Sequence, residues 1–407
     1  MKFLAWLMQK KDSLYFPPEL LLGILLRLPV KSLVRFKSVH SYWLSLISSP
    51  EFFREHISHN PFYKYVVVRV EDTNTSSRCL SLRIFNSVAQ DFFDDEALAI
   101  PYPFGIYSIV GVHGSYNGFV LIAIGLRLDA FILWNPSTRE YYKICGPEDH
   151  ALWSIVGLAY DASNDDYKIV TGFYSLYMVG MDVRSYSLKT GCWEKINHHF
   201  SYRMRTDHPG MTPASGMPHW LVSTNRNSRE DMVVYFDIEE NELKQVFLPE
   251  GIRGWCQFIS VFHGYICVGC FLRNPVIYVM KECASKKLWI KLNINFSPVA
   301  EYHCLAPVGF ARENGIITRA DASGLVIYCR NTNQYRVVKC PDSHRQFKVA
   351  TYKESLESPC RISGEHHRYV SVPLHASPPE PASLPKPAEN GEAWEITKSL
   401  LLVSVAS

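Results

Sequence analysis

One pattern recurs along most of this chain: two strand-like runs joined by a short polar turn. The clearest copy is VRSYSLKTGCWEKI at 183–196, in which residues 189–191 form the turn and Trp193 lies near the start of the returning run. Alternating apolar and polar residues on both sides of a glycine-containing turn are typical of a β-hairpin. Four related copies end at Ile144, Val246, Leu292 and Val338. The pattern therefore predicts a series of antiparallel hairpins.

The hairpins are spaced almost evenly along the chain. A large side chain occupies the matching place in each returning run, three residues before an aliphatic residue: Tyr141, Trp193, Leu243, Trp289 and Tyr335. These positions are 52, 50, 46 and 46 residues apart, and a weaker earlier copy places Phe92 or Phe93 in the same role. A strand repeat of this length is typical of β-propeller blades, and the kelch repeat has the closest standard length. The sequence predicts an all-β propeller-like domain of about six strand repeats.

Additional strands lie between the hairpins. Asn117-Gly118 is a strong turn signal, and the apolar run that ends at residue 122 follows it. Residues 157–160 and 167–170 flank another turn. We therefore expect four strands in each repeat.

The sequence between residues 16 and 60 predicts helices instead. Pro18 suits the first helical position, where its missing N–H would have no partner in any case. The leucines and isoleucine that follow leave almost no polar face before Pro29 ends the helix. Shorter helices are expected over 30–39 and 41–47.

A fourth helix is expected to begin at Ser49-Pro50-Glu51, where a serine cap and a first-turn proline precede an acid near the positive helix end. About 40 residues of short helices cannot bury so many apolar side chains among themselves. They therefore either cover the neighbouring domain as a helical cap or bind a partner protein, and the pattern alone leaves both open.

The same stretch resembles an F-box in the form that is common in plant proteins. An ordered series of motifs carries the resemblance: Phe16-Pro17-Pro18-Glu19-Leu20, Ile24-Leu25, Leu28-Pro29-Val30-Lys31-Ser32-Leu33, Val39, Trp43, Leu46-Ile47-Ser48-Ser49-Pro50 and Phe52. It implies that the module binds a Skp-family adaptor, which joins the chain to a cullin scaffold in a ubiquitin ligase. The residues expected to contact the adaptor are Phe16, Pro17, Leu20, Ile24, Leu25, Leu28, Pro29, Leu33, Val39, Trp43 and Ile47.

A second resemblance covers the strand repeats, which are similar to the plant F-box-associated domain. Its motifs are Asn117-Gly118, LWNPSTRE at 133–140, GLAYD at 157–161, DYKIV at 166–170, YSLKTG at 186–191 and YVMKE at 278–282. The chain thus resembles S-locus-type and defence-related F-box proteins. The resemblance implies a non-catalytic substrate-recognition subunit of an SCF (Skp–cullin–F-box) ligase, which holds a target protein on its β domain for ubiquitination and degradation.

We expect the target to bind the long irregular connections, because strand cores are committed to packing. The candidates are residues 173–182, 198–215 and 223–231. Arg203, Arg205, Arg226 and Arg229 make this surface locally basic and favour a target with an acidic patch. The alternative is that these are ordinary solvated loops.

Motifs that could hold a metal or perform catalysis each have a plainer interpretation. Cys267 and Cys270 have C-x-x-C spacing but lie in a strand-like run without a second pair. Residues 161–166 begin like a calcium loop but lack its glycine and its terminal glutamate, so a hairpin turn is expected. The paired histidines at 198–199 and 366–367 fall in loops. We predict no catalytic residues, no metal and no cofactor.

Two other classes of propeller protein remain open. A propeller enzyme would need metal ligands or paired carboxylates near the propeller axis. A carbohydrate-binding propeller would present tryptophan and tyrosine side chains at one face.

Composition narrows the class of partner and the compartment. The formal net charge of +3 indicates neither nucleic acid nor a membrane surface as a partner. Eleven cysteines, mostly in apolar runs, suit a reduced cytoplasmic or nuclear protein. The apolar run within residues 1–12 is shorter than a signal peptide requires.

These observations predict four regions in an α+β multidomain chain. They are an N-terminal extension over 1–15, the F-box over 16–60, the β domain over 61–358 and a tail over 359–407. The proline-rich part of the tail, 376–390, is expected to be disordered. A chain that ends near Ser358 is therefore expected to melt at the same temperature as the full chain.

Overall fold

The fold is that of a computed structural model with four helices followed by antiparallel sheets. The residues that it describes are 18–59, 63–72, 78–86, 91–93, 100–101, 110–124, 129–147, 154–174, 181–196, 203–204, 215–223, 231–253, 256, 258–262, 264–270, 276–283, 286–292, 305–311, 315–320, 324–329, 332, 334–339 and 348–363. All of these residues belong to one compact unit within residues 1–371. The predicted disordered stretch 376–390 lies outside them.

The helices of the N-terminal module are α1 Pro18–Leu25, α2 Val30–Phe36, α3 Ser41–Ile47 and α4 Pro50–His59. The predicted start of the fourth helix is confirmed, because the Ser49 hydroxyl accepts a hydrogen bond from the backbone N–H of Phe52 at 3.2 Å. α1 ends earlier than predicted. Its last turn tightens, with the N–H of Leu28 bonded to the carbonyl of Leu25 at 3.0 Å, because the residue before a proline disfavours the α conformation.

The described strands form six antiparallel sheets, which we number as blades 1 to 6. Blade 1 contains β1 Tyr63–Asp72, β2 Arg78–Asn86, β3 Asp91–Phe93, β4 Ile100–Pro101 and β25 Lys348–Lys353. Blade 2 contains β5 Val110–Tyr116, β6 Phe119–Ile124, β7 Ala130–Asn135 and β8 Glu140–Cys145. Blade 3 contains β9 Ser154–Asp161, β10 Asp166–Tyr174, β11 Met181–Ser187 and β12 Cys192–Ile196.

The remaining blades repeat the four-stranded arrangement. Blade 4 contains β13 Arg203–Met204, β14 His219–Ser223, β15 Asp231–Asp237 and β16 Glu242–Phe247, and a short 3-10 helix over Glu250–Ile252 follows it. Blade 5 contains β17 Phe258–Phe262, β18 Tyr265–Cys270, β19 Val276–Cys283 and β20 Lys286–Leu292. Blade 6 contains β21 Leu305–Ala311, β22 Gly315–Ala320, β23 Gly324–Cys329 and β24 Gln334–Lys339. The predicted propeller-like domain of about six repeats is thus confirmed.

The large side chains of the sequence repeat occupy equivalent places in the blades. Each lies on the outermost strand opposite a residue of the preceding strand, in the pairs Trp134–Tyr141, Tyr186–Trp193, Phe236–Leu243, Met280–Trp289 and Tyr328–Tyr335. The tryptophans also join neighbouring blades. The indole N–H of Trp193 donates to the carbonyl of Cys145 at 3.0 Å, and that of Trp289 donates to Phe247 at 2.8 Å. In both cases the acceptor ends the outermost strand of the previous blade.

The propeller is closed by pairing the two ends of the domain. β25, the last strand, pairs with β1 and takes the first position in blade 1. The first strands of successive blades touch one another in turn, including β25 with β5, β5 with β9, β17 with β21, and β21 with β25. In a propeller closed in this way the inner edges of the blades are short and protected. The sequence analysis did not identify β25.

In blades 2 and 3 the turns that precede the second and fourth strands lie at one end of the propeller. In blade 2 the turn at Asn117-Gly118 has φ angles of 47° and 91°, as the primed hairpin turn requires, and confirms the predicted signal. Gly118 also faces the chain that follows β25, since a Cβ there would lie 2.1 Å from the Cβ of Ser355. We call this end, at which the helical module sits, the module end.

Candidate functional site

The helical module has a hydrophobic core of its own. Four of the predicted adaptor contacts are buried within it: Leu25, Leu33, Trp43 and Ile47. Phe52 joins them, and Phe36 packs its ring against Trp43 with centroids 5.2 Å apart. The structure agrees with the expectation that these helices cannot bury all their apolar residues among themselves, because Leu356 from beyond the last strand completes the core. A role of these four core residues in adaptor binding stays a prediction. Because their side chains are buried, they would support the shape of the module and would not touch the adaptor.

A second group of apolar side chains in the module points to solvent. Its members are Leu20, Ile24, Val34, Val39, Tyr42 and Leu44, which are between 41% and 58% exposed. Pro29 is also exposed, and Leu28 is half-buried against the core. Phe16 and Pro17 lie outside the described residues. A module that already has a filled core and still exposes this much apolar surface is typical of a protein-binding element.

Val34, Tyr42 and Leu44 of this group were not predicted from the sequence. Helical geometry could have found them, because residues next to a buried position on a helix point away from the core. Val34 follows the buried Leu33, and Tyr42 and Leu44 lie on either side of the buried Trp43.

Residues 354–363, which we call the junction segment, lie between the module and the propeller. Leu356 enters the core of the module, whereas Cys360 packs into the shared core of blades 2 and 3. Cys360 belongs to a fifth helix, α5 Pro359–Ser363. These five residues were assigned to the tail on the sequence alone, and in the structure their helix contacts β7 and β8 of the propeller.

Asn135 holds the backbone of the junction segment. Its side-chain N–H groups donate to the carbonyls of Ser355 and Glu357 at 2.9 and 2.7 Å. Its side-chain oxygen accepts from the N–H of Ser137 at 2.8 Å, so that the carboxamide is used on both sides. Asn135 is fully buried at the end of β7, and its position there explains why a polar residue follows the apolar strand.

Glu357 is the buried acid of the junction segment. Its carboxylate accepts a hydrogen bond from the Tyr167 hydroxyl at 2.8 Å and pairs with Arg361 at 3.2 Å. Burial raises the pKa of Glu357 to about 7, although its bonds with Tyr167 and Arg361 act in the opposite direction. The guanidinium of Arg361 lies 5.2 Å from the ring centre of Phe53, which belongs to the module core.

A second polar contact joins the module to the β9–β10 turn. Arg54 of α4 donates to Asp165 at 2.8 Å, and the Tyr160 hydroxyl donates to the other carboxylate oxygen at 2.8 Å. Partial burial raises the pKa of Asp165, but the bonds from Tyr160 and Arg54 outweigh it and hold the pKa below its usual value. The site is therefore a mixed apolar and polar contact that fixes α4 against blade 3.

One of the predicted target-binding arginines, Arg203, is described, and its backbone lies at the opposite end of the propeller. In blade 3 the β9–β10 turn is at the module end, so the pair Tyr174–Met181, which closes the other end of β10, is at the far end. In blade 4 Arg203 pairs with Ser223, which in turn pairs with Asp231. The order of strands places these three residues at the same far end. Arg205, Arg226 and Arg229 lie outside the described residues, and the role of all four arginines stays a prediction.

The motifs considered for metal or redox chemistry have structural roles. Residues 161–166 form the β9–β10 hairpin turn, as predicted, and Asp161 caps it by accepting from the N–H groups of Ser163 and Asn164. Cys267 is fully buried in β18, and burial raises the pKa of its thiol. Among the described residues there is no group of three or more histidine, cysteine or acidic side chains placed to hold a metal ion. The histidine pairs 198–199 and 366–367 lie outside those residues.

None of the described helices combines the length and the hydrophobicity that crossing a membrane would require.

Comparison with known proteins matches both parts of the chain to family models. Residues 14–55 match the F-box domain, and residues 107–357 match the F-box associated beta propeller domain. The propeller match begins after β4, although β1 and β2 share a sheet with β25. The domain boundaries at residues 15, 60 and 358 stay predictions.

Two relatives from Arabidopsis thaliana are similar over most of their length. An F-box/kelch-repeat protein is 26% identical over 375 residues, which cover 84% of this chain and 95% of the relative. The F-box protein CPR1 is 24% identical over 368 residues, covering 81% of this chain and 86% of the relative. Among solved structures, YjhT aligns with a TM-score of 0.35 and 12% identity over 59% of this chain and 78% of that one, which is too weak to support an inference.

The match to the propeller model covers more than half of the chain, and the F-box match covers the helical module. This protein therefore belongs to the family of F-box proteins that carry an F-box associated beta propeller domain.

Proposed function

We propose that this protein is the target-recognition subunit of an SCF ubiquitin ligase. The helical module binds a Skp-family adaptor, the adaptor connects it to a cullin scaffold, and the propeller holds a protein target. The observation that carries the proposal is the group of six exposed apolar side chains on a module whose own core is already filled. The F-box match supports it.

The exposed apolar residues can supply the affinity that such an adaptor contact needs. Fully burying a leucine or valine side chain contributes about 1.5–3 kcal/mol. A few central anchors commonly dominate a protein interface, each costing about 2 kcal/mol or more on truncation. Leu20 and Leu44 are the most exposed of the group and are the strongest anchor candidates.

The mechanism is proximity, and the chain itself is not an enzyme in this proposal. The module anchors the complex at one end of the propeller, and the target is held where its lysines meet ubiquitin carried by a conjugating enzyme. The gain is a high effective concentration of lysine near the reactive thioester. Of the described residues considered for chemistry, Cys267 is buried in β18 and Asp161 caps a hairpin turn.

The target is expected at the far end of the propeller, where Arg203 pairs with Ser223. A basic surface there favours a protein with an acidic patch, and such a contact would weaken as salt rises. The compartment that fits a reduced ligase subunit with many buried cysteines is the cytoplasm or the nucleus.

Affinity purification of the tagged full chain from plant cells, followed by mass spectrometry, tests this proposal. The wild-type chain is expected to recover a Skp-family protein, a cullin and a target that accumulates when the proteasome is inhibited. Replacing Arg226 and Arg229 with glutamine is expected to lose the target and keep the adaptor. The matched control replaces Lys189 and Lys281, two exposed bases elsewhere on the propeller, and is expected to keep both. Recovery of no Skp-family protein with the wild-type chain would overturn the proposal.

A further inference from the structure

The junction segment is built into both halves of the protein at once. Leu356 and Cys360 are four residues apart and are both nearly fully buried, the first in the module and the second between blades 2 and 3. A rotation of the module on the propeller would have to remove one of these side chains from its core. Each removal would expose apolar surface to water, which is unfavourable.

The backbone of the segment is also held on the propeller side. Besides the two hydrogen bonds from Asn135, the N–H of Ser355 donates to the Ser137 hydroxyl at 3.4 Å. The close approach at Gly118 leaves no space for the segment to move toward blade 2. The segment is therefore packed and hydrogen-bonded against the turns at the module end of the propeller.

Two separate contacts that involve charged side chains then join the module to the junction segment and to blade 3. Glu357 connects Tyr167 of β10 to Arg361, whose guanidinium faces the ring of Phe53 in α4. Arg54, the next residue in α4, reaches Asp165 directly. Both contacts act on adjacent residues of the same helix, so they fix the position of this part of α4 on the propeller.

This arrangement joins the two domains and also completes the core of the module. The propeller is already closed by β25, and residues 354–363 follow that strand and contact both the module and the propeller. These residues therefore fix one domain relative to the other. In a ligase that works by proximity, the angle between the F-box and the propeller sets the distance from a bound target to the conjugating enzyme. The effective concentration of the target lysines falls steeply when that distance cannot be spanned.

We propose that Arg54 and Glu357 are positioning residues that hold the F-box at a fixed angle on the propeller and thereby select which lysines the ligase modifies. The inference rests on the proposed function. Neither residue takes part in adaptor or target contact in this account. Loosening the junction is expected to leave both binding events intact and to change where ubiquitin is attached.

The test uses the full chain in a ligase reconstituted with a Skp-family adaptor, a cullin–RING scaffold and a charged conjugating enzyme. Since the target is unidentified, the reaction that is measured is ubiquitination of lysines on the chain's own propeller. These lysines are fixed to the blades and therefore report the position of the propeller. The modified lysines are mapped by mass spectrometry at several dilutions, so that transfer within one complex is separated from transfer between complexes. Adaptor affinity is measured on the same samples.

The double variant Arg54→Ala/Glu357→Ala is compared with wild type and with Glu194→Ala/Arg253→Ala, which removes an exposed acid and an exposed base from the propeller. The junction variant is expected to keep the adaptor affinity of wild type within about twofold and to raise modification at minor lysines by about fivefold or more relative to the major site. The control is expected to reproduce the wild-type pattern.

The outcomes separate this inference from the function on which it rests. If the wild-type chain does not bind the adaptor, the proposed function fails. If the junction variant binds the adaptor and modifies the same lysines in the same proportions, the positioning role is overturned. Should Glu357→Ala unfold the module, seen as lost adaptor binding, the milder Arg54→Met/Tyr167→Phe variant takes its place with the same expected broadening and the same refuting result.

Discussion

Replacing Glu357 with glutamine is expected to change how the stability of the protein depends on pH. Glu357 is 2% exposed, and burial raises its pKa from 4.5 to about 7 despite its bonds with Tyr167 and Arg361. Because the pKa is higher in the folded chain, folding takes up a proton across this window. The carboxyl therefore stabilises the fold most below pH 4.5, and that contribution is lost as the pH rises through about 7. A pKa difference of this size corresponds to about 3 kcal/mol.

His219 changes the stability of the protein with pH in the opposite direction, over an overlapping pH range. Burial, with a smaller effect from Lys287, lowers the pKa of His219 from 6.5 to about 3. Unfolding takes up a proton at this group, so its contribution to stability grows as the pH rises to 6.5. The two contributions partly offset one another in the wild-type protein. The difference between Glu357→Gln and wild type isolates the carboxyl, because His219, Asp165 and Arg361 are present in both.

The assay is urea unfolding of wild type, Glu357→Gln and the exposed control Glu194→Gln from about pH 5 to about pH 8.5. The free energy of unfolding of Glu357→Gln, relative to wild type, is expected to rise by about 2.5 kcal/mol across this range. Any constant cost of placing a glutamine amide beside Arg361 cancels in this comparison. A difference that stays within about 0.5 kcal/mol at all pH values would refute the argument that burial controls this carboxyl.

Three further predictions concern stability. Leu356→Ala is expected to lower the free energy of unfolding by about 2–5 kcal/mol, because it opens a cavity in the module core, whereas Leu288→Ala, at an exposed site, should be nearly neutral in the same denaturation experiment. Trp193→Phe removes the N–H that reaches Cys145 and is expected to cost about 0.5–1.5 kcal/mol, and an unchanged stability would show that this bond does not hold blades 2 and 3 together. A chain that ends at Ser358 lacks Cys360 and Arg361 and is expected to melt below one that ends at Ser363, contrary to the expectation from sequence, and equal melting temperatures would contradict the packing of α5.

The parts of the fold that were predictable from the sequence are those with local causes. The β11–β12 hairpin follows from alternation around a glycine turn, and the start of α4 follows from the serine cap at Ser49. The repeat of large residues predicted the outer strands, because the same position of each outermost strand pairs with the preceding strand in the same way.

The parts that were missed depend on contacts between distant residues. The bonds from Asn135 to Ser355 and Glu357 join positions 220 and 222 residues apart, and no local pattern marks either partner. The pairing of β1 with β25 joins residues that are even farther apart in the chain, such as Tyr63 and Lys353. The apolar pattern placed Leu20, Ile24 and Val39 in a strongly apolar module. It could not separate these exposed side chains from Leu33 and Trp43 in the core, because burial there also depends on distant contacts.

The central claim is that the exposed apolar residues of the module bind a Skp-family adaptor, and titration calorimetry with the purified adaptor tests it most directly. The full chain is compared with Val34→Asp/Leu44→Asp in the module and with Leu288→Asp/Ile290→Asp, a matched pair of exposed apolar residues on β20. Wild type and the β20 variant are expected to show the same saturable one-to-one binding, and the module variant is expected to bind at least about tenfold more weakly, as the loss of an interface anchor implies. Absence of saturable binding by the wild-type chain, or equal affinity for wild type and the module variant, would contradict the account.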